Sequence, residues 1–218
     1  MRDIAVYGAG AYGEEVYLLI EKINSYCSID DKKWNFIGFF DDNYNLSSTD
    51  NAYGKVLGGI DALNNYQGPL SLVIGIASSA AIHAILGRIT KLDIDFPNII
   101  DPDTSFIDKN TFKIGVGNVI GEGCRFSPKV TLGDFNIIVN DSVFGHDAFV
   151  GSYNVFFPEV RLSGKTVVGN NNLLGMRTAV FQGVRIFDNV KLSAGSILSM
   201  NARSGFTYIG NPAKRLKI

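Results

Sequence analysis

Apolar residues recur at every sixth position from Ile114 to Ile197, a span that divides without insertion or deletion into fourteen hexapeptides. In frame they read IGVGNV, IGEGCR, FSPKVT, LGDFNI, IVNDSV, FGHDAF, VGSYNV, FFPEVR, LSGKTV, VGNNNL, LGMRTA, VFQGVR, IFDNVK and LSAGSI. Every first position is Ile, Leu, Val or Phe, which in a chain 46% hydrophobic would arise by chance about twice in 100,000 trials. A helix repeats its apolar face every 3.6 residues and a half-buried strand every 2, so a period of 6 with Gly at half of the second positions fits neither. It fits short strands joined by tight corners, one hexapeptide per face of a triangular prism: a left-handed parallel β-helix with a coil of three hexapeptides.

Residues 18 apart then stack at the strand spacing of about 4.8 Å. The fifth positions Asn118, Asn136, Asn154 and Asn172 recur at that interval and predict a ladder of bonded side chains. Fifth positions on the other two faces, among them Cys124, Ser142, Ala148 and Thr166, are small, as a narrow interior requires. One first-position column reads Phe126, Phe144, Leu162, Val180, Leu198 and predicts aromatic stacking at one end. Fourteen hexapeptides make about four and two-thirds coils, a prism about 22 Å long. After Ile197 the frame fades into a C-terminal cap.

Residues 1–100 alternate differently. Apolar runs at Ile4 to Tyr7, Phe36 to Phe40, Leu70 to Ile76 and Phe96 to Ile100 predict strands; EEVYLLIEKI, DALNNY and SSAAIHAILGRITKL predict helices. This is the pattern of a small Rossmann-like parallel-sheet α/β domain, followed from residue 101 by the β-helix domain. Asn43 to Asn51 reads as a mobile polar stretch, and Asp101 to Lys113 as a connector and first irregular coil.

Gly8, Gly10 and Gly13 have the GxGxxG spacing, with Ala11 and Tyr12 between the last two, and stand between a strand and a helix. Such a turn brings backbone close to a phosphate at a helix N-terminus. Asp41 or Asp42, at the end of the second strand, would face a ribose hydroxyl, or both form a solvated turn. A single fingerprint in about 100 residues suits a mononucleotide better than NAD.

A net charge of −1 gives no electrostatic case for nucleic acid or an anionic membrane. Cys27 and Cys124 read as reduced thiols, and with no apolar run near 18 residues and no signal peptide a soluble cytoplasmic protein is expected. Two histidines cannot supply a three-histidine zinc site, so no metal is expected; no nucleophile elbow is visible either. His83 reads as a packed or surface helix residue. His146, followed by Asp147, stands at a third position of the repeat, where a surface histidine at a corner is the plain alternative to a general base. Gly164 lies one coil above it and Gln182 one coil higher. A glycine over a base leaves a backbone N–H open to a carbonyl, a spacing suited to acyl transfer.

VYGAGAYGEEV with GFFDDN, GHDAFVG, LSGKTVVGNN and IGNPAKRL together resemble the sialic acid O-acetyltransferase (NeuD-type) family of sugar acyltransferases, whose relatives include the N-acetyltransferases of UDP-bacillosamine and GDP-perosamine synthesis. The resemblance implies a homotrimer with acetyl-CoA between neighbouring β-helices and a nucleotide sugar on the N-terminal domain. It implies His146 as the base, Asp147 as its acidic partner, and Gly164, Gln182, Asn211, Lys214 and Arg215 on the cofactor side. Gly8, Gly10, Ala11, Tyr12, Gly13 and Asp41 or Asp42 would contact the nucleotide sugar. Where some relatives carry a second histidine near the cofactor this chain has Val155, followed by Phe156 and Phe157. The expected activity is acetyl transfer to the amino group of a nucleotide-linked amino sugar for glycan biosynthesis. A sugar O-acetyltransferase and a non-catalytic nucleotide-sugar sensor are the alternatives; a nucleotide-sugar oxidoreductase lacks a Tyr–Lys pair.

Overall fold

A computed structural model of the chain describes residues 2–27, 33–43 and 52–216. Most of the polar stretch Asn43 to Asn51, and Lys217 in the basic tail, fall outside them. The chain divides into two compact units between Pro102 and Asp103.

In the first unit, β1 (Arg2–Tyr7), β2 (Trp34–Phe40), β3 (Leu70–Ile74) and β4 (Ile94–Asp95) form a parallel sheet in the order β2-β1-β3-β4. Residues Ile4 to Tyr7 of β1 and all of β3 are buried, as expected of parallel strands covered on both faces. Helix α1 (Ala11–Ser25) turns Gly13, Val16, Ile20 and Asn24 inward at helical spacing. Asn24 is buried because it is satisfied: its Nδ2 donates to Trp34 O at 2.9 Å and its Oδ1 accepts from Trp34 N–H at 3.1 Å, tying α1 to the start of β2. Helix α2 (Ile60–Asn65) and helix α3 (Ser79–Leu86) complete the unit.

Helix α3 is shorter than its apolar pattern suggests. It stops before Gly87, and the chain then runs over α2, where the Asn64 carboxamide oxygen accepts the N–H groups of Thr90 and Lys91 at 2.9 and 3.4 Å. The strand expected over Phe96 to Ile100 is replaced by two short strands, β4 and Ile99–Ile100, with Pro97, which has no N–H to offer, between them.

The second unit is the left-handed parallel β-helix. Strands of two residues pair in parallel with strands 18 residues on: Thr131 with Phe149, Ile137 with Val155, Val143 with Arg161. The solenoid starts before the hexapeptide frame, since Ser105–Phe106 already pairs with Arg125–Phe126, and continues after it, since Thr207 pairs with Lys191. Every first position from Ile120 to Leu198 and every fifth position from Asn118 to Ser196 is buried.

The asparagine ladder does more than link side chains. Asn118 Oδ1 accepts both the backbone N–H of Asn136 (2.8 Å) and its Nδ2 (3.0 Å), and Asn136 Oδ1 does the same for Asn154 (3.0 and 3.0 Å). The Nδ2 groups of Asn118, Asn136 and Asn154 also reach a carbonyl of the next coil, Gly151 O from Asn136 at 2.9 Å, whereas that of Asn172 is buried without a partner among the described residues. The aromatic end is larger than two rings: Phe106, Phe126 and Phe144 stack with centroids 5.3 and 4.8 Å apart, and Phe156 meets Phe144 edge-on at 5.4 Å.

Each corner turns through its fourth position. All fourteen fourth positions, from Gly117 to Gly195, have φ between +51° and +72°, ten of them in residues other than glycine. For an L-residue this costs about 1 kcal/mol each. A hydrogen bond repeated up the solenoid offsets the cost: the third-position carbonyl of one coil accepts the fourth-position N–H of the next, as Val116 O does from Phe135 (2.8 Å) and Asn140 O from Glu159 (2.9 Å).

Candidate active site

The strand Val143–Phe144 ends at Gly145, and the corner that follows carries His146 and Asp147. Asp147 has the corner conformation, φ +59°, and its N–H donates to Pro128 O in the coil below at 3.1 Å. That conformation swings its carboxylate back onto the preceding side chain, with Oδ2 2.8 Å from His146 Nδ1. An ionised carboxylate only accepts, so Nδ1 carries a proton, and in the neutral ring the lone pair is then on Nε2. The bond from His146, then the positive charges of Lys129 and Lys165, hold the Asp147 carboxyl below the usual carboxylate range. Both side chains of the pair are about half exposed, 52% and 42%.

Gly164, one coil up, lies against the imidazole: a Cβ built on it would stand 2.5 Å from Nε2 and 2.8 Å from Cε1 of His146. Its backbone N–H, like those of His146 and Gln182 in the same column, is not taken by a neighbouring coil. On another corner of the prism each third-position N–H is taken by the third-position side chain of the next coil, Val116 by Asp134 (2.9 Å), Asp134 by Ser152 (2.9 Å), Ser152 by Asn170 (2.8 Å). At the His146 corner that column reads Pro128, His146, Gly164, Gln182, and the Gly164 N–H meets no acceptor among the described residues. Gly145 leaves room for it, since a Cβ there would stand 2.5 Å from Gly164 N. A histidine and a donor without an acceptor thus share one corner, a coil apart.

Gln182 is exposed one coil above Gly164, whose carbonyl accepts Gly183 N–H at 3.0 Å. Asn211, Lys214 and Arg215 are exposed in the terminal hairpin, where Lys214–Arg215 pairs antiparallel with Tyr208 and Ile209 and the Arg215 guanidinium stands 3.5 Å over the Phe206 ring. These three belong to the last turn of the solenoid and not to the His146 corner. Val155 and Phe156 are buried, and Phe156 belongs to the prism interior. His83 is exposed on α3.

In the first unit the glycines have separate tasks. Gly8 has φ +113° and a Cβ there would stand 2.7 Å from Ile76 Cγ1; a Cβ on Gly13 would collide with the Gly8 carbonyl, so α1 can sit this close only with glycine. Gly10, the N-cap of α1, has open space before it. The loop amide of Ala9 already donates to Asp41 Oδ2 at 2.8 Å, and Asp41 Oδ1 accepts Asn43 N–H at 2.8 Å. Asp42 is bonded to Ile60 N–H (3.0 Å), the start of α2, and is forked by Arg88 at 2.6 and 3.2 Å. Arg88 first, then the Ile60 amide and the Tyr7 hydroxyl, hold Asp42 below the usual carboxylate range; burial, with Asp42 nearby, pushes the Tyr7 phenol well up. Arg88 and Tyr7 were not singled out in the sequence, because a lone arginine after a helix and a tyrosine in an apolar strand carry no pattern.

No helix among the described residues is long and apolar enough to cross a membrane. Residues 3–88 match the PglD N-terminal domain family. The acetyltransferase domain of PglB from Neisseria gonorrhoeae superposes with a TM-score of 0.85 at 24% identity, covering 99% of this chain and 100% of that one, and has also been solved with acetyl coenzyme A. A perosamine N-acetyltransferase from Caulobacter crescentus, solved with CoA and GDP-perosamine, gives 0.85 at 19% identity over 100% and 98%. An acyl-[acyl-carrier-protein]–UDP-N-acetylglucosamine O-acyltransferase from Pseudomonas aeruginosa is 28% identical over 121 residues, 52% of this chain and 47% of that protein. The chain spans about half the length of the curated relatives it matches. Its fold, a PglD-type N-terminal domain followed by a left-handed β-helix, is shared end to end with the two acetyltransferase structures.

Proposed function

We propose that the chain is an acetyl-CoA-dependent acetyltransferase acting on the amino group of a nucleotide-linked amino sugar. The observation that carries this reading is the corner where His146, its Nδ1 bonded to Asp147, lies against Gly164, whose backbone N–H meets no acceptor among the described residues. The relatives that share the fold are acetyltransferases solved with acetyl-CoA, or with CoA and a GDP-linked amino sugar, which favours a nitrogen over an oxygen acceptor.

The chemistry follows from the residues. His146 Nε2 removes a proton from the acceptor amine as its nitrogen bonds to the thioester carbonyl carbon. The carbonyl oxygen becomes an oxyanion held by Gly164 N–H. When the C–S bond breaks, the His146 imidazolium returns the proton to the departing CoA thiolate, and Asp147 stabilises the imidazolium between the two transfers. No covalent enzyme intermediate is needed. The terminal hairpin, with Asn211, Lys214 and Arg215, would receive the phosphates of CoA, with Gln182 along the way. The loop Gly8 to Gly13, with Ala11, Tyr12 and Asp41 or Asp42, would receive the nucleoside end of the acceptor. The reading includes a homotrimer, in which a neighbouring β-helix supplies the second wall of a site that a single corner leaves half open.

The test is thiol release from acetyl-CoA against UDP-, GDP- and dTDP-linked 4-amino sugars, with neuraminic acids as hydroxyl acceptors. Turnover with an amino sugar is expected. Turnover with neuraminic acid alone would assign O-acetylation, and binding of a nucleotide sugar without turnover would make the protein a sensor.

A further inference from the structure

The corner that carries the dyad also carries two cations that the acyl-transfer chemistry leaves unused. Its fourth positions read Lys129, Asp147, Lys165, Gly183, each in the left-handed conformation, with φ of +62°, +59°, +58° and +72°. The corner hydrogen bonds lock them in vertical register: Asp147 N–H to Pro128 O at 3.1 Å, Lys165 N–H to His146 O at 2.8 Å, Gly183 N–H to Gly164 O at 3.0 Å. Side chains on equal backbone leave the prism in one direction, so Lys129 and Lys165 flank Asp147 from one coil below and one coil above, about 4.8 Å each way. Both are exposed. Neither makes a side-chain hydrogen bond or ion pair among the described residues, because the carboxylate between them is turned to His146. Two lysines against one aspartate leave the corner with one excess positive charge beside the base.

We propose that Lys129 and Lys165 form a clamp for the diphosphate of the acceptor, holding it beside the His146–Asp147 pair. The inference rests on the acetyltransferase reading for its choice of ligand. Lysine supplies a mobile point charge with three donors, suited to a phosphate whose position shifts as the sugar turns toward the base. Reach identifies the source. In a nucleotide diphosphate sugar the phosphates stand one sugar ring from the reacting amine, within range of side chains rooted a single coil from the base. In CoA the pantetheine arm, several times longer than a lysine side chain, separates the phosphates from the thioester.

The experiment titrates the full chain with inorganic pyrophosphate, UDP and CoA by calorimetry, in wild type, K129Q, K165Q and the double variant, with circular dichroism as the folding control. The double variant is expected to lose about tenfold or more in affinity for pyrophosphate and for UDP while CoA affinity stays within about twofold. Unchanged pyrophosphate and UDP affinity overturns the clamp, and so does a CoA loss as large as the UDP loss, which would give the lysines to the donor. The readouts are binding alone, so a wild type that binds UDP through these lysines yet transfers no acetyl group refutes the acetyltransferase reading and leaves the clamp standing.

Discussion

The imidazole of His146 lies against the Cα of Gly164, so closely that a single methyl group on the glycine would stand 2.5 Å from Nε2. Gly164→Ala keeps the backbone N–H but moves the ring. It is expected to cut kcat by roughly 100-fold, the size of a lost general base or oxyanion contact, with the circular dichroism spectrum unchanged. Steady-state thiol release checks it; an unimpaired Gly164→Ala enzyme would mean that the ring works from another position.

His146→Ala removes the proposed base without disturbing the core, because the side chain is half exposed. The chemical step should fall by roughly 100- to 10,000-fold while acetyl-CoA binding, read by calorimetry, is nearly intact. Unchanged turnover would transfer the role of base to another group.

Asp147 is held below the usual carboxylate range chiefly by His146. The pair is therefore intact above the ordinary carboxylate range and is lost only as pH falls through the depressed value of Asp147. The Asp147 carboxyl should accordingly give kcat/KM no limb within or above the ordinary carboxylate range. Asp147→Asn should lower kcat by about 10- to 100-fold, part of what the base itself contributes. A pH–rate profile of both proteins decides this.

Asn136→Ala leaves the buried Asn154 N–H and Gly151 carbonyl without the partners they have in the ladder. At about 1–3 kcal/mol for each orphaned group, the loss should be about 3 kcal/mol in urea denaturation. A loss below about 1 kcal/mol would mean that water enters the prism.

The Asp42–Arg88 pair ties the end of β2 to the chain that follows α3. Asp42 has a lowered pKa in the fold, so its contribution is present above the unfolded carboxylate range and disappears as pH falls through the folded value. Arg88→Gln should lower the melting temperature near neutral pH, and the difference from wild type should shrink in acid. Melting curves at a series of pH values show whether it does.

Much of the β-helix was legible because the period acts on every residue that faces inward: Ile, Leu, Val and Phe at first positions and small residues or Asn at fifth positions leave a trace over fourteen repeats. The relation of His146 to Gly164 followed from counting eighteen. The corner conformation left only a partial trace: Gly, Asn and Asp, which tolerate positive φ, hold eight of the fourteen fourth positions, but Lys, Phe, Tyr, Glu and Arg hold the other six and blur it. The flanking of Asp147 by Lys129 and Lys165 was overlooked for that reason, although their spacing of eighteen lay in plain view. In the first unit, α3 looked longer because apolar residues continue past Gly87, and the partners of Asp41 and Asp42 were hidden because they come from distant parts of the chain.

The left-handed turn at Asp147 is shared by all the other corners, so it is a property of the scaffold and stores nothing for catalysis. Translation by eighteen residues carries any third-and-fourth-position pair onto another with the same backbone, and a histidine and aspartate grafted one coil along would meet the same geometry. What would not travel with them is the glycine overhead. In such a solenoid an active site is an address: the coil at which one side chain is left out, more than the one at which two are put in.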